Sequence, residues 1–130
     1  MGECHYQMVE NFKTLVLGTS LNPIRYSNKA VLMLSNAGIP VVAFGLKKGS
    51  VSAVQIDTSL KSYKNIHTVT LYLNPKHQEA YYDYIIQLKP KRIIFNPGTE
   101  NPIFYRLLRE ANVSYDCLLY TSDAADDTSG

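Results

Sequence analysis

The segment over residues 18–27, GTSLNPIRYS, gathers residue types that bind phosphate groups. It follows an apolar run at residues 13–17 that predicts a buried strand, and it leads into a predicted helix that begins near residue 27. A strand, a glycine turn and a helix in this order commonly bind phosphate, because the free N–H groups and dipole of a helix N-terminus attract anions. The candidate contacts are the backbone N–H groups and hydroxyls of Gly18, Thr19 and Ser20, the rigid Pro23, the guanidinium of Arg25 and the hydroxyl of Ser27.

The dinucleotide fingerprint G-x-G-x-x-G is absent, since TSLNP follows the first glycine. The loop after the predicted second strand, GLKKG at residues 45–49, gives a second clue. NAD-binding domains place an acidic residue there to hold the ribose hydroxyls, whereas this loop has Lys47 and Lys48 and no acid. Lysines favour a nucleotide with a phosphorylated ribose, which fits both NADP and coenzyme A.

A third polar loop, FNPGTEN, follows the predicted fourth strand. Pro97 and Gly98 suit the central positions of a type II turn. Asn96 and Asn101 present polar groups at the rim, and Asn101 fits equally a helix cap and a ligand contact. Glu100 is a conceivable general base, but the sequence places no His, Ser or Cys beside it.

No catalytic or metal site emerges from the sequence. The three histidines, His5, His67 and His77, are not tied by spacing to a nucleophile or to further metal ligands. We therefore interpret them as structural or exposed residues.

Strand and helix signals alternate along the chain. Strands are predicted at residues 13–17, 40–45, 67–73, 92–95 and 114–119, with a possible short strand at 51–56. Helices are predicted at 27–37 and after two Asn-Pro pairs, from residue 74 to Pro90 and from residue 101, the last with Ile103, Leu107, Leu108 and Ala111 facing inward. This order predicts an α/β fold: a Rossmann-like three-layer sandwich with an open, mostly parallel sheet and helices on both faces. In such folds ligands bind at the carboxyl ends of the strands, where the three polar loops fall.

Composition narrows the functional class. The 130 residues suit one domain, and 45% hydrophobic with 18% charged residues is typical of a soluble globular protein. No stretch approaches membrane-spanning length, and the two cysteines form no metal motif, so we expect a cytoplasmic protein. The net charge of +2 becomes +5 when the three aspartates of the last ten residues are left out. That charge suits a small anionic ligand and is too modest and scattered to indicate nucleic acid. We expect an N-terminal extension at residues 1–10, the domain at 11–120, and a disordered or non-native tail at 121–130.

Taken together, the phosphate-loop residues, the two lysines and NPGTEN resemble the stand-alone CoA-binding domain proteins. That family is similar to the N-terminal domain of the succinyl-CoA synthetase α subunit, and the resemblance spans residues 10–119. It implies that CoA phosphates lie on the first loop, against Gly18, Thr19, Ser20, Arg25 and Ser27. It further implies that Lys47 or Lys48 lies near the ribose 3′-phosphate, and that Asn96, Gly98 and Asn101 line the far wall. The synthetase's phosphorylated histidine belongs to a domain absent here, so ligase activity is not implied.

Three functions remain open from the sequence. The first is a small cytoplasmic module that binds coenzyme A or an acyl-CoA through its phosphates, without evident catalysis. The second is an NADP-dependent oxidoreductase or a fragment of one, which the missing glycines and the short chain disfavour. The third is a regulatory or scaffolding domain with a vestigial pocket. The sequence gives neither the acyl group nor the oligomeric state.

Overall fold

Seven short strands form one sheet in a computed structural model that describes residues 12–118. The predicted extension at 1–10 and the predicted tail at 121–130 lie outside these residues. The strands are β1 (Thr14–Leu17), β2 (Val41–Phe44), β3 (Gly49–Val51), β4 (Val54–Asp57), β5 (Thr68–Leu71), β6 (Arg92–Phe95) and β7 (Ser114–Cys117). The helices are α1 (Tyr26–Asn36), α2 (Pro75–Gln78), a 3₁₀ turn (Glu79–Tyr81), α3 (Tyr82–Leu88) and α4 (Pro102–Glu110).

The spatial order of the strands is β3-β4-β2-β1-β5-β6-β7. Every pairing is parallel except that of β3 with β4, so the predicted mostly parallel α/β fold is confirmed. β1 lies between β2 and β5, and the chain leaves it in one direction to β2 and returns on its other side to β5. This reversal of strand order opens a crevice beyond the carboxyl ends of β1 and β5.

Successive residues of β1 point to opposite faces of the sheet, and each face has its own core. Leu15 and Leu17 join a larger cluster that includes Ile85 of α3 and Phe104 of α4. Val16 joins a smaller cluster with Val31 of α1. Because β1 is buried on both faces, its sequence is continuously apolar rather than alternating. The prediction of helices on both faces is thereby confirmed.

The predicted strand at 51–56 is wrong, because this stretch contains a turn. Ser52 adopts a left-handed conformation with φ 57°, and the chain reverses there to pair β3 with β4 as a hairpin. Val51 and Val54 face each other across it. Two valines flanking two small residues look like one strand in a sequence, although they close a tight hairpin.

Two predicted helices also differ in detail. The segment after Asn74 divides into α2, the 3₁₀ turn and α3 instead of forming one helix. In α4, Ile103 is 68% exposed, and Phe104 and Leu108 form the buried face. The spacing of apolar residues at 103, 104, 107 and 108 is compatible with either orientation, and the stacking of Phe104 on Tyr82 accompanies the observed one. None of the helices in residues 12–118 has the length and apolar character needed to cross a membrane.

Candidate ligand-binding cleft

A cleft of about 480 Å³ lies at the carboxyl ends of β1, β2, β5 and β6. It is open to solvent and combines polar loops with apolar side chains. Its lining comprises Gly18, Thr19, Ser20, Leu21, Asn22, Arg25, Ser27, Leu46, Lys47, Tyr72, Leu73, Asn74, His77, Pro97, Gly98 and Thr99.

Two glycines allow the loops around the cleft to approach one another. Gly18 has φ +101°, and a Cβ there would lie 3.0 Å from Cδ2 of Leu73, in the loop after β5. A Cβ on Gly45 would overlap the carbonyl oxygen of Thr19. Any side chain at position 45 would therefore push apart the loops that follow β1 and β2.

The backbone N–H groups of the first loop are committed within the protein. Gly18 and Thr19 both donate to the carbonyl oxygen of Phe44, at 2.9 and 2.7 Å. Ser20 donates to Oγ of Ser27 at 3.0 Å. These three N–H groups therefore fix the loop against β2 and the start of α1, and contact of this loop with a phosphate stays a prediction.

The start of α1 lies at the cleft, with Arg25 and Ser27 in the lining. Its N-cap residue is Arg25, which makes no side-chain capping hydrogen bond, and its first turn has no acidic residue. By contrast, Asn74 and Asn101 cap α2 and α4 with their side-chain oxygens. An eleven-residue helix that begins uncapped at a cleft presents the positive end of its dipole to that cleft.

The cleft is electropositive. Arg25 and Lys47 line it, and none of the lining residues is acidic. Asp57 follows the same edge of the sheet at the end of β4, but it is not part of the lining. It accepts hydrogen bonds from the Tyr63 hydroxyl and, at 3.2 Å, from Nζ of Lys61. The Tyr63 hydrogen bond is the main reason that the pKa of Asp57 is lowered.

The opposite wall is held by a buried amide network. Gln78 is fully buried, and its Nε2 donates to the carbonyl oxygens of Leu73 (2.8 Å) and Thr99 (2.7 Å). Nδ2 of Asn101 donates in turn to Oε1 of Gln78 at 3.0 Å and to the Tyr82 hydroxyl at 2.8 Å. One glutamine thus ties the loop after β5 to the loop after β6, and both loops line the cleft.

Asn96 is committed in a similar way. It is 3% exposed, and its Nδ2 donates to Oγ1 of Thr70 at 2.8 Å and to the carbonyl oxygen of Leu71 at 2.7 Å. Glu100, the conceivable general base, accepts a hydrogen bond from the N–H of Gly98 at 2.9 Å. Its carboxylate holds the Pro97–Gly98 turn and does not line the cleft.

The structure gathers seven of the eleven predicted site residues in the cleft and leaves four outside its lining. Those in the lining are Gly18, Thr19, Ser20, Arg25, Ser27, Lys47 and Gly98. Pro23 and Lys48 are exposed next to it, whereas Asn96 and Asn101 are buried behind it.

Sequence reasoning missed two features of this site. His77 lies in the lining, although the sequence predicts structural or exposed histidines. Asn74, which the Asn-Pro pair predicts as a helix cap, caps α2 and also lies in the lining. Gln78 carries no motif, and its only signal was its position in the helix that follows the loop after β5.

A sequence model of the CoA-binding domain family matches residues 13–122. The chain belongs to the CoA-binding domain family. A search of curated proteins gave no match.

Solved structures share the fold. An uncharacterized protein is 37% identical, with a TM-score of 0.79 over 89% of this chain and 96% of its own. A hypothetical protein from Pyrococcus horikoshii OT3 is 21% identical, with a TM-score of 0.74 over 100% of this chain and 94% of its own. A Thermus thermophilus protein is 17% identical, with a TM-score of 0.73 over 88% of this chain and 87% of its own. The last two likenesses support the fold alone.

Proposed function

We propose that this family member binds coenzyme A or an acyl-CoA in the cleft, with the phosphates at the start of α1. The observation that carries the proposal is the uncapped start of α1 beside Arg25, Ser27 and Lys47, all of which line one cavity. A phosphate there would be attracted by the helix dipole and could accept hydrogen bonds from the guanidinium of Arg25. Membership of the CoA-binding domain family supports coenzyme A as the nucleotide.

Lys47 supports a nucleotide that carries a phosphate on its ribose. It lines the cleft in the loop after β2, where an acidic residue would instead select free ribose hydroxyls. Asp57, at the end of the neighbouring strand, is held by Tyr63 and Lys61. This arrangement favours coenzyme A and NADP over NAD, and the family favours coenzyme A over NADP.

The apolar part of the lining suits the remainder of coenzyme A. Leu21, Leu46, Tyr72 and Leu73 line the cleft together with the polar groups. A mixture of apolar walls and a few convergent polar groups is typical of sites for small ligands. An adenine ring or a pantetheine arm can pack on these side chains.

We further propose that the module binds its ligand without transforming it. Among the cleft-lining residues, the hydroxyls of Thr19 and Thr99 donate to the carbonyl oxygens of Val16 (2.9 Å) and Asn96 (2.6 Å). Oγ of Ser27 accepts from the N–H of Ser20, and Oγ of Ser20 accepts from the N–H of Asn22, both at 3.0 Å. None of these four hydroxyls is paired with His77 in these hydrogen bonds, which supports a role in binding rather than as a nucleophile. A cytoplasmic location remains a prediction from the sequence.

Calorimetric titration with CoA, dephospho-CoA, NADP and NAD tests the proposal. We expect CoA to bind most tightly, dephospho-CoA and NADP more weakly, and NAD weakest. Tighter binding of NADP than of CoA would replace the ligand in the proposal. An absence of binding to all four would favour the alternative of a scaffolding domain with a vestigial pocket.

A further inference from the structure

A second cavity lies at the opposite edge of the sheet, at the amino ends of β1, β5 and β6. Its volume is about 530 Å³, which is within the usual range for small-molecule sites. It is lined by Lys13, Asn65, Ile66, His67, Leu88, Lys89 and Lys91. We call this cavity the amino-end groove.

The groove is strongly cationic. Three of its seven lining residues are lysines, one is a histidine and none is acidic. The two ion pairs found in residues 12–118 are Lys61 with Asp57 and Arg92 with Asp116. None of the three groove lysines takes part in them, so their charges are not neutralised by a carboxylate within the described residues.

The backbone brings the basic residues of the groove together. The N–H of His67 donates to the carbonyl oxygen of Lys13 at 2.8 Å, and the N–H of Lys91 donates to the carbonyl oxygen of His67 at 2.8 Å. Residues 13, 67 and 91 therefore sit side by side across three adjacent strands. Lys89 follows at the end of α3 with φ 52°, where the chain turns back towards β6.

The pKa of His67 is affected by burial and by the positive charges near the groove. Its pKa is lowered, first by burial and then by the charges of Arg92 and Lys91. Its Nδ1 is 2.8 Å from Oγ1 of Thr68, and its ring lies against Phe12 with centroids 4.6 Å apart. The imidazole thus sits among positive charges, and among the described residues no acid contributes to its shift.

The distribution of charge along the sequence agrees with an anionic occupant. All 13 Lys and Arg residues fall within residues 12–118, whereas only six of the 11 Asp and Glu residues do. Five of these cations line the two cavities, Arg25 and Lys47 the cleft and Lys13, Lys89 and Lys91 the groove.

We propose that the amino-end groove binds a small anion with several negative charges, of the polyphosphate or polycarboxylate kind, at a site separate from the cleft. Lysine ammonium groups are compact point charges that attract such anions without demanding one geometry. Ile66 and Leu88 give the groove an apolar part, so the bound anion would be only partly hydrated. The inference does not depend on coenzyme A binding in the cleft.

Nuclear magnetic resonance of the full chain, with inorganic triphosphate and citrate as probes, tests this proposal. We expect shifts of the backbone amides around residues 65–67 and 88–92, and a higher pKa for His67, because a bound anion stabilises the imidazolium. In Lys89→Gln/Lys91→Gln we expect at least about tenfold weaker binding at this site. Binding of triphosphate alone would show that the groove recognises phosphate groups. Binding of both probes would show that it recognises any small anion with several negative charges.

The matched control is Lys29→Gln/Arg106→Gln, which removes the same charge from exposed positions of α1 and α4. It should leave binding in the groove within about twofold of the parent protein. Equal losses in the two double variants would show a general charge effect and overturn the proposal. Shifts restricted to the start of α1 would also overturn it, because they would place the anion in the cleft. Arg25→Ala should leave groove binding intact, which separates this result from the fate of the proposed CoA site.

Discussion

On the β1 side of the cleft, the N-cap residue of α1 is Arg25, whose side chain makes no cap, whereas on the β6 side the side chain of Asn101 caps α4. Arg25 and Ser27 of the first wall line the cavity. Asn96 and Asn101 of the second wall are each 3% exposed, and their amide groups are hydrogen-bonded inside the protein. Both walls are polar at the same edge of the sheet, but Arg25 of the first wall lines the cavity, whereas Asn96 and Asn101 of the second wall are buried behind it.

The comparison teaches that polar residues at the carboxyl edge have two separable uses. The first wall presents the start of α1 and the guanidinium of Arg25, which can bind an anion. The other uses asparagine and glutamine to fix the loops that form the cavity. A substitution on the first wall should therefore change affinity, and a substitution on the second should change stability.

The largest expected effect is on the second wall. Asn101→Ala removes the α4 cap and leaves the Gln78 and Tyr82 side chains without their Asn101 partner. We expect a loss of about 2–4 kcal/mol in the free energy of unfolding, measured by chemical denaturation. Asn74→Ala is the matched control, since Asn74 is an exposed cap of the same Asn-Pro type, and it should cost about 0.5–2 kcal/mol. Equal losses would mean that the buried network contributes nothing beyond the cap.

The next effect is on the first wall. Arg25→Ala should weaken CoA binding by about 1.5–3 kcal/mol, roughly 10- to 150-fold, because a charge-assisted contact with phosphate is lost. Its free energy of unfolding should change by less than about 0.5 kcal/mol, as is usual for surface substitutions. Calorimetry and denaturation of the same preparation measure both. A large loss of stability with unchanged affinity would reverse the roles assigned to the two walls.

Two neighbouring lysines refine the account of the first wall. Lys47 lines the cleft and Lys48 does not. Lys47→Ala should weaken binding of CoA by about 1 kcal/mol, roughly fivefold, and should affect dephospho-CoA less, since an exposed ion pair contributes modestly. Lys48→Ala serves as the control of equal charge and should have a smaller effect. A larger loss of affinity in Lys48→Ala would mean that the ribose phosphate lies nearer to Lys48 than to Lys47.

The smallest expected effect is a pH dependence of stability caused by His67, which lies away from both walls of the cleft. The lowered pKa of His67 means that the folded protein takes up a proton at lower pH than the unfolded chain does. Stability should therefore be fully retained above the ordinary imidazole pKa of about 6.5 and should fall as the pH drops below it. His67→Gln should flatten this part of the profile, measured as the unfolding midpoint between pH 5 and 8. An unchanged profile in the variant would assign the dependence to other groups.

The sequence predicted the sheet, the order of its elements and the general place of the site, because these follow from apolar runs and turn residues. It could not distinguish Arg25 from Asn101, since both are polar residues at a helix start after a strand. Whether such a residue faces a cavity or a buried amide depends on Gln78, which comes from another helix. Likewise, the N–H groups of Gly18 and Thr19 donate to Phe44, a partner 25 residues or more away in sequence, which the sequence could not indicate.

The most direct test of the account is to follow amide resonances of the full chain during titration with CoA. We predict large shifts for the backbone amides of the first turn of α1, residues 26–28, and small shifts for the side-chain amides of Asn96, Asn101 and Gln78. That result would show that the anion sits on the uncapped helix while the opposite wall remains a support. Large shifts of the three side-chain amides with an unperturbed start of α1 would contradict the central claim.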